Sequence, residues 1–361
     1  MTIDNIIQWF QSWLPTNFNI IILYLVAVLI AAIAIFAIMA VNALVAVYAE
    51  RKISAFMQDR VGPMGQGPGL HAGKWGLLQT VADTIKLILK EDIIPKAADK
   101  KLFVIAPFII FLGAFIALAA MPWGPNLIAA DMNIGIFYIL AVSSFGVIGI
   151  ILAAWSSDNK WSLFGGMRSA AQIISYEIPA ALSLVTVLLL GSTLSMQGII
   201  ESQAGTVWGF LPNWNLFNNP FSFLAFFIYF IAGVAEVNRT PFDIPEAESE
   251  LVAGFHTEYS GMRWAFFFLS EYGNMLVVAG ITVVAFLGGW QSPVEGVMQG
   301  AWWGLFWFLT KMTGVIMIMI WFRWTFPRLR VDQLMTVAWK VLLPIALFNL
   351  FGVAIWTLLV G

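Results

Sequence analysis

The chain has 361 residues, of which 60% are hydrophobic and only 11% charged, with a net charge of −2; soluble domains are nearer half apolar and about a quarter charged, so this is an integral membrane protein. It has no cysteine and only two histidines, His71 and His256, which excludes thiolate ligation of an iron–sulfur cluster and argues against a bis-histidine haem or a multi-histidine metal site. Any redox centre served by this chain must therefore sit on a partner.

A membrane-spanning helix needs about 20 mostly apolar residues. Eight segments meet that condition: 18–48, 102–121, 134–155, 170–190, 220–238, 264–287, 302–323 and 338–360. The expected fold is an all-α integral membrane protein, a single domain over 1–361, with eight transmembrane helices, an amphipathic surface helix and short helices in the cytoplasmic loops. The N-terminus lacks a basic region and its apolar run leads into a full span, so no cleavable signal peptide is expected. The first run is long enough to tilt or to project beyond the bilayer.

The loop 49–101 follows the first span. Its charged set, Glu50, Arg51, Lys52, Asp59 and Arg60, either anchors the end of that span or faces a soluble partner. The Gly/Pro-dense piece 62–73 reads as a loop. It is not a phosphate-binding loop, because Pro68 and Trp75 stand where glycine and a hydroxyl residue would be required. Beyond it Trp75, Leu78, Ala82, Ile85 and Leu89 recur at helical spacing, with Lys74, Asp83, Lys86 and Lys90 among the polar positions. This predicts an amphipathic helix at the membrane surface. It either seals the domain or walls an opening where an amphipathic substrate arrives from the lipid.

Glu177 falls two turns into the fourth span, Glu236 closes the fifth and Glu271 falls two turns into the sixth. Pro179 and Pro344 predict a kink or a late helix start. The stretch from Glu236 to Glu258 holds six carboxylates, Glu236, Asp243, Glu246, Glu248, Glu250 and Glu258, against one cation, Arg239. Acids are costly near a bilayer and mark an ion or proton route when they cluster there. Like charges one helical turn apart, such as Glu246 and Glu250, also repel. The cytoplasmic loop 239–263 should turn over Arg239–Asp243 and then form a short helix around Pro245 and Glu246 that Gly254 can end. Tyr176 and Tyr272 are expected to donate hydrogen bonds near the acids, and His256 is read as structural. Lys311, inside the seventh span, either snorkels or faces a partner or a water-filled cavity.

The charge distribution checks this topology. Of the 18 Lys and Arg, 17 lie on the odd-numbered loops and none on the others; the remaining one is Lys311. Basic loops stay cytoplasmic, so both termini are expected outside and the span count even.

The segments AERKISAFMQDRVGP, GLLQTVADTIKLILKED, SYEIP, AEVNRTPFDIPEAESELVAGFHTEYSGMRWAFFFLSEY and RWTFPRLRVDQLM resemble the H subunit of respiratory complex I, NADH–quinone oxidoreductase, whose mitochondrial counterpart is core subunit 1. One departure is Met64, where family members usually carry asparagine. The resemblance implies an eight-helix membrane-arm subunit that forms most of the membrane side of a quinone chamber, beneath a soluble subunit carrying the terminal iron–sulfur cluster. It assigns Glu50, Arg51, Arg60, Asp83 and Lys86 to the chamber and its mouth. It assigns Glu177, Glu236, Asp243, Glu246, Glu248, Glu250, Glu258 and Glu271 to an acidic funnel coupling quinone chemistry to proton translocation. The chain itself would bind no cofactor and supply no complete catalytic centre, with quinone as substrate. Its partners would be the soluble iron–sulfur and quinone-site subunits, adjacent membrane subunits and lipid, with no nucleic acid, in a bacterial plasma membrane. Two other readings are a membrane subunit of a proton-pumping hydrogenase, which needs no quinone, and a stand-alone ion transporter.

Overall fold

A computed structural model describes residues 6–7, 20–64, 74–125, 127–207, 211–244, 251–294 and 296–360. The described residues form a helical bundle with a single two-stranded sheet, β1 (Thr206–Val207) against β2 (Leu211–Pro212). In chain order the helices are α1 (Ile20–Met57), α2 (Gln79–Leu89), α3 (Lys100–Ala117), α4 (Gly135–Ser156), α5 (Lys160–Gly191), α6 (Met196–Glu201), α7 (Asn215–Asn218), α8 (Pro220–Glu236), α9 (Gly261–Phe286), α10 (Ala301–Thr325), α11 (Val331–Thr336) and α12 (Leu343–Val360).

Among the described residues, seven helical stretches are long and apolar enough to cross a membrane, the last running through α11 and α12. The fifth expected span is α8, with 17 residues. At 1.5 Å per residue it measures about 26 Å, short of a hydrocarbon core of about 30 Å. Among the described residues there are thus seven helices long enough to cross and one shorter apolar helix, α8, at the place of the fifth expected span.

The helices also outrun their apolar stretches. α1 continues to Met57, carrying Glu50, Arg51 and Lys52 inside it. α5 begins at Lys160, ten residues before the expected start, with Asn159 accepting a hydrogen bond from the Trp161 amide as N-cap. Hydropathy reports where a helix leaves lipid, whereas backbone hydrogen bonding continues into the loop region. Glu177 consequently lies nearly five turns into its helix, not two. α5 runs unbroken through Pro179, and α3 through Pro107. Pro344 follows a π-helical segment, Val337–Leu342. A proline at 344 has no amide for the Lys340 carbonyl, and the wider turn absorbs that mismatch. α2 starts only at Gln79, after a 3₁₀ turn at Lys74–Gly76.

Packing relies on small residues, as expected where lipid removes the hydrophobic drive between helices. A Cβ on Gly113 of α3 would sit 3.4 Å from the Gly146 amide nitrogen of α4, and one on Gly149 would meet Ile110 and Ala106 of α3. α5 packs against α4, α8 and α12, and α9 against α3, α10 and α1. The central core includes Met39, Met121, Tyr176, Tyr229, Phe286 and Phe308. α9 lies deepest, with 78% of its apolar window buried, and this places its acid, Glu271, inside the bundle.

Candidate functional site: a buried ion cluster beside a carboxylate cavity

The site is organised by the chain's exit from α8. Asn238 adopts a left-handed φ of 53°, which asparagine tolerates. Gln172 of α5 donates to the Ala235 and Phe242 carbonyls, both at 2.8 Å, and so clamps the two sides of this turn. The Leu329 amide donates to the Pro241 carbonyl at 3.0 Å. The turn sends Arg239 inward, where it is 2% exposed.

Arg239 meets two acids from different helices. Its Nη1 donates to Glu50 Oε2 of α1 at 2.8 Å, and its Nε lies 2.8 Å from Glu271 Oε1 of α9. The guanidinium carbon sits 4.7 Å from the centre of the Tyr272 ring. Tyr272 donates its hydroxyl to the same Glu50 oxygen at 2.7 Å, and Arg323 of α10 donates to the other. Two carboxylates and two guanidiniums thus neutralise each other at the junction of three helices and a loop. Burial opposes the Arg239 charge, but Glu271 and Glu50 outweigh it and hold the group far above its ordinary range. Asp243 is buried beside Arg328 at 3.0 Å. Burial raises its pKa, and the three nearby arginines oppose that rise without cancelling it.

Adjoining this cluster is an internal cavity of about 320 Å³. Its polar lining includes Glu177, Tyr229, Glu236, Asn238, His256, Glu271, Asn274 and Arg323, set among residues such as Ile139, Phe267 and Val278. Ser144 donates to Glu177 at 3.0 Å. Glu236 Oε1 is buried without a hydrogen-bond partner among the described residues. Burial among Phe255, Phe267 and Trp264 pushes the His256 imidazole down to about 4, so it is neutral at physiological pH.

The structure therefore brings Glu177, Glu236 and Glu271 to one cavity, and joins Glu50 to Glu271 through Arg239. Asp243 lies nearby with Arg328. Glu258 stands apart: it accepts a hydrogen bond from Asn159 and lines a surface opening with Asp158 and Lys160. Glu246, Glu248 and Glu250, with the short helix expected around Pro245 and Glu246, lie outside the described residues, as does His71. Arg51 and Asp83 pair with each other near the surface, whereas Arg60 and Lys86 are exposed. Tyr272 reaches an acid as expected, but Tyr176 donates to the Leu334 carbonyl at 3.0 Å. Sequence reasoning missed Arg323, which it counted only as a loop cation, and gave His256 no place at the acids. The 273 positions separating Glu50 from Arg323 carry no local signal of their contact.

A family model described as NADH dehydrogenase matches residues 26–354. The chain belongs to the H-subunit family of NADH-quinone oxidoreductase. The H subunit of NADH-quinone oxidoreductase from Chlorobaculum tepidum is 54% identical over 320 residues, covering 86% of this chain and 87% of that protein. The corresponding H subunits of Bacillus thuringiensis and Anaeromyxobacter dehalogenans are 48% and 46% identical, covering 98% and 94% of this chain and 98% and 84% of theirs. The resemblance read from the loop motifs is thus borne out. The protein is a multi-pass membrane component of complex I, part of an NADH:quinone oxidoreductase assembly.

Proposed function

We propose that this chain forms the membrane side of the quinone-binding chamber and transmits the consequences of quinone reduction to protons through its buried acids. The observation that carries the reading is the cavity shared by Glu177, Glu236 and Glu271, next to the Glu50–Arg239–Glu271 cluster. Three acids on three helices face one cavity, and one of them, Glu271, also pairs with Arg239. Charge placed on one disfavours charge on its neighbours, so a proton gained by one shifts the others.

Quinone takes up two electrons and two protons to become quinol. The electrons would come from an iron–sulfur cluster on a soluble partner, because this chain offers no thiolate. Negative charge developing on the quinone would perturb the Glu50–Arg239–Glu271 balance first. Glu271 belongs to both the ion cluster and the cavity, so a shift in its pairing with Arg239 would propagate to Glu236 and Glu177. Asp243 and the acids of 245–250 would extend this path toward the chamber. Access for a lipid-borne quinone is supported by exposed apolar residues on the segments that carry the Arg51–Asp83 pair: Phe56 and Met57 at the end of α1, Leu77 and Leu78 just before α2, and Leu89 at its end. Arg60 and Lys86 would rim this mouth. The basic loops would face the cytoplasm of a bacterial plasma membrane and both termini the outside.

The test is Glu236→Gln in the assembled complex. Quinone-linked proton translocation should be lost, while NADH oxidation by a hydrophilic artificial acceptor should be unchanged. Normal pumping in that variant would remove the acid relay from the mechanism.

A further inference from the structure

Among the described residues, His256 is the one cavity-lining titratable group that comes from a loop. It lies in a 3₁₀ turn, Gly254–His256, held by several independent contacts. Gly254 takes a left-handed φ of 59°, and Gly165 of α5 has no side chain beneath it: a Cβ there would come within 2.6 Å of the Gly254 Cα. Ser162 donates to the Phe255 carbonyl at 3.0 Å, and Thr257 donates to the Gly254 carbonyl at 2.6 Å. This bracing aims one imidazole into the cavity. Two residues later Glu258 lines the surface opening with Asp158, Asn159 and Lys160. Two residues bridge no more than about 7 Å of backbone. One short loop thus contributes His256 to the carboxylate cavity and Glu258 to the surface opening.

We propose that His256 is a proton-transfer residue, carrying protons between the surface opening at Glu258 and the carboxylate cavity. The inference rests on the coupling role proposed above and adds a supply branch to it. A neutral imidazole presents one N–H and one bare nitrogen, so it can accept a proton at one and release the other, returning to the neutral form as the opposite tautomer. The charged groups on the cavity walls are Glu177 of α5, Glu236 of α8, Glu271 of α9 and Arg323 of α10, with the Tyr229 hydroxyl of α8. The acids are the acceptors for its proton, and burial disfavours the imidazolium, so the cation is short-lived. Its low affinity for protons at rest fits a carrier better than a store.

The test uses intact complex reconstituted in proteoliposomes, with His256→Gln and His256→Ala. Ferricyanide reduction by NADH and native-gel mobility serve as assembly controls and should be unchanged. Coupled quinone reduction should fall at least about a hundredfold in His256→Gln, the low end for loss of a proton-transfer group. The loss should deepen toward alkaline pH, the solvent deuterium isotope effect should grow, and added imidazole should restore rate in His256→Ala. An unchanged rate, or a loss equal at every pH with an unchanged isotope effect and no rescue, overturns the proposal. Glu236→Gln run in parallel separates the two readings. Normal pumping there defeats the coupling role itself, whereas lost pumping there with normal His256 variants defeats only the supply branch.

Discussion

Arg239 carries the local energetics of the site. Its guanidinium balances one buried acid and one partly buried acid, so replacing it leaves Glu50 and Glu271 to share Arg323 alone. Breaking a buried pair by removing one partner costs about 3–5 kcal/mol. Arg239→Met should therefore lower retention of this chain in the complex or sharply reduce its heat resistance, read by native-gel assembly after graded heating. Arg239→Lys should recover only part of this, because a point charge cannot bridge two carboxylates through Nη1 and Nε at once. His256 carries a pH signature. Its folded pKa of about 4 lies below the ordinary 6.5, so the folded state binds fewer protons than the unfolded one. Its contribution is full above about 6.5 and is lost as pH falls toward 4, a loss of roughly 3 kcal/mol at about 1.4 kcal/mol per unit. Protease protection of the membrane-embedded chain between pH 7 and 4 should decline less steeply in His256→Gln.

At the scale of elements, the acids are placed by helices that are fastened at both ends. α9 brings Glu271 and Tyr272 to the ion cluster. At its other end the carbonyls of Leu287, Gly289 and Gln291 accept all three hydrogen bonds of Lys311 Nζ, at 2.6, 2.9 and 2.7 Å. The Trp214 ring lies 4.1 Å from the same ammonium. Lys311 therefore meets partners inside the bundle; it ties α10 to the C-terminal end of α9, where a cation also suits the helix dipole. Lys311→Met would leave three carbonyls without this donor, at about 1–3 kcal/mol for each that stays buried and unpaired. The expected result is a protein of markedly lower heat resistance, partly restored by Lys311→Arg.

At the scale of the molecule, the short α8 sets the parity of the crossings. A chain without cysteine permits a direct measurement, since single cysteines can be introduced without background. Glu201 and Val252 are both exposed and flank α8. If α8 crosses, Glu201→Cys should react with a membrane-impermeant maleimide from outside intact cells, and Val252→Cys only after the membrane is opened. Labelling of both from one side would fix an odd number of crossings and reverse the expected position of one terminus. The outward faces of α1 and α12, with Leu25, Phe348, Phe351 and Leu358 exposed, are apolar enough for lipid or neighbouring membrane subunits.

Composition and hydropathy alone determined that this protein is a helical membrane bundle, because about 20 apolar residues in a row have few stable alternatives to a spanning helix. The motifs determined the family, and the intramembrane acids announced themselves by their rarity in apolar runs. Helix ends were less legible: Lys160 and Met57 lie beyond the hydropathy that marked the spans. Only the tertiary structure decided which charges meet. Glu50, Arg239, Glu271 and Arg323 come from four separate parts of the chain, and electrostatic attraction across a low-dielectric core depends on distance in space, which sequence separation does not encode.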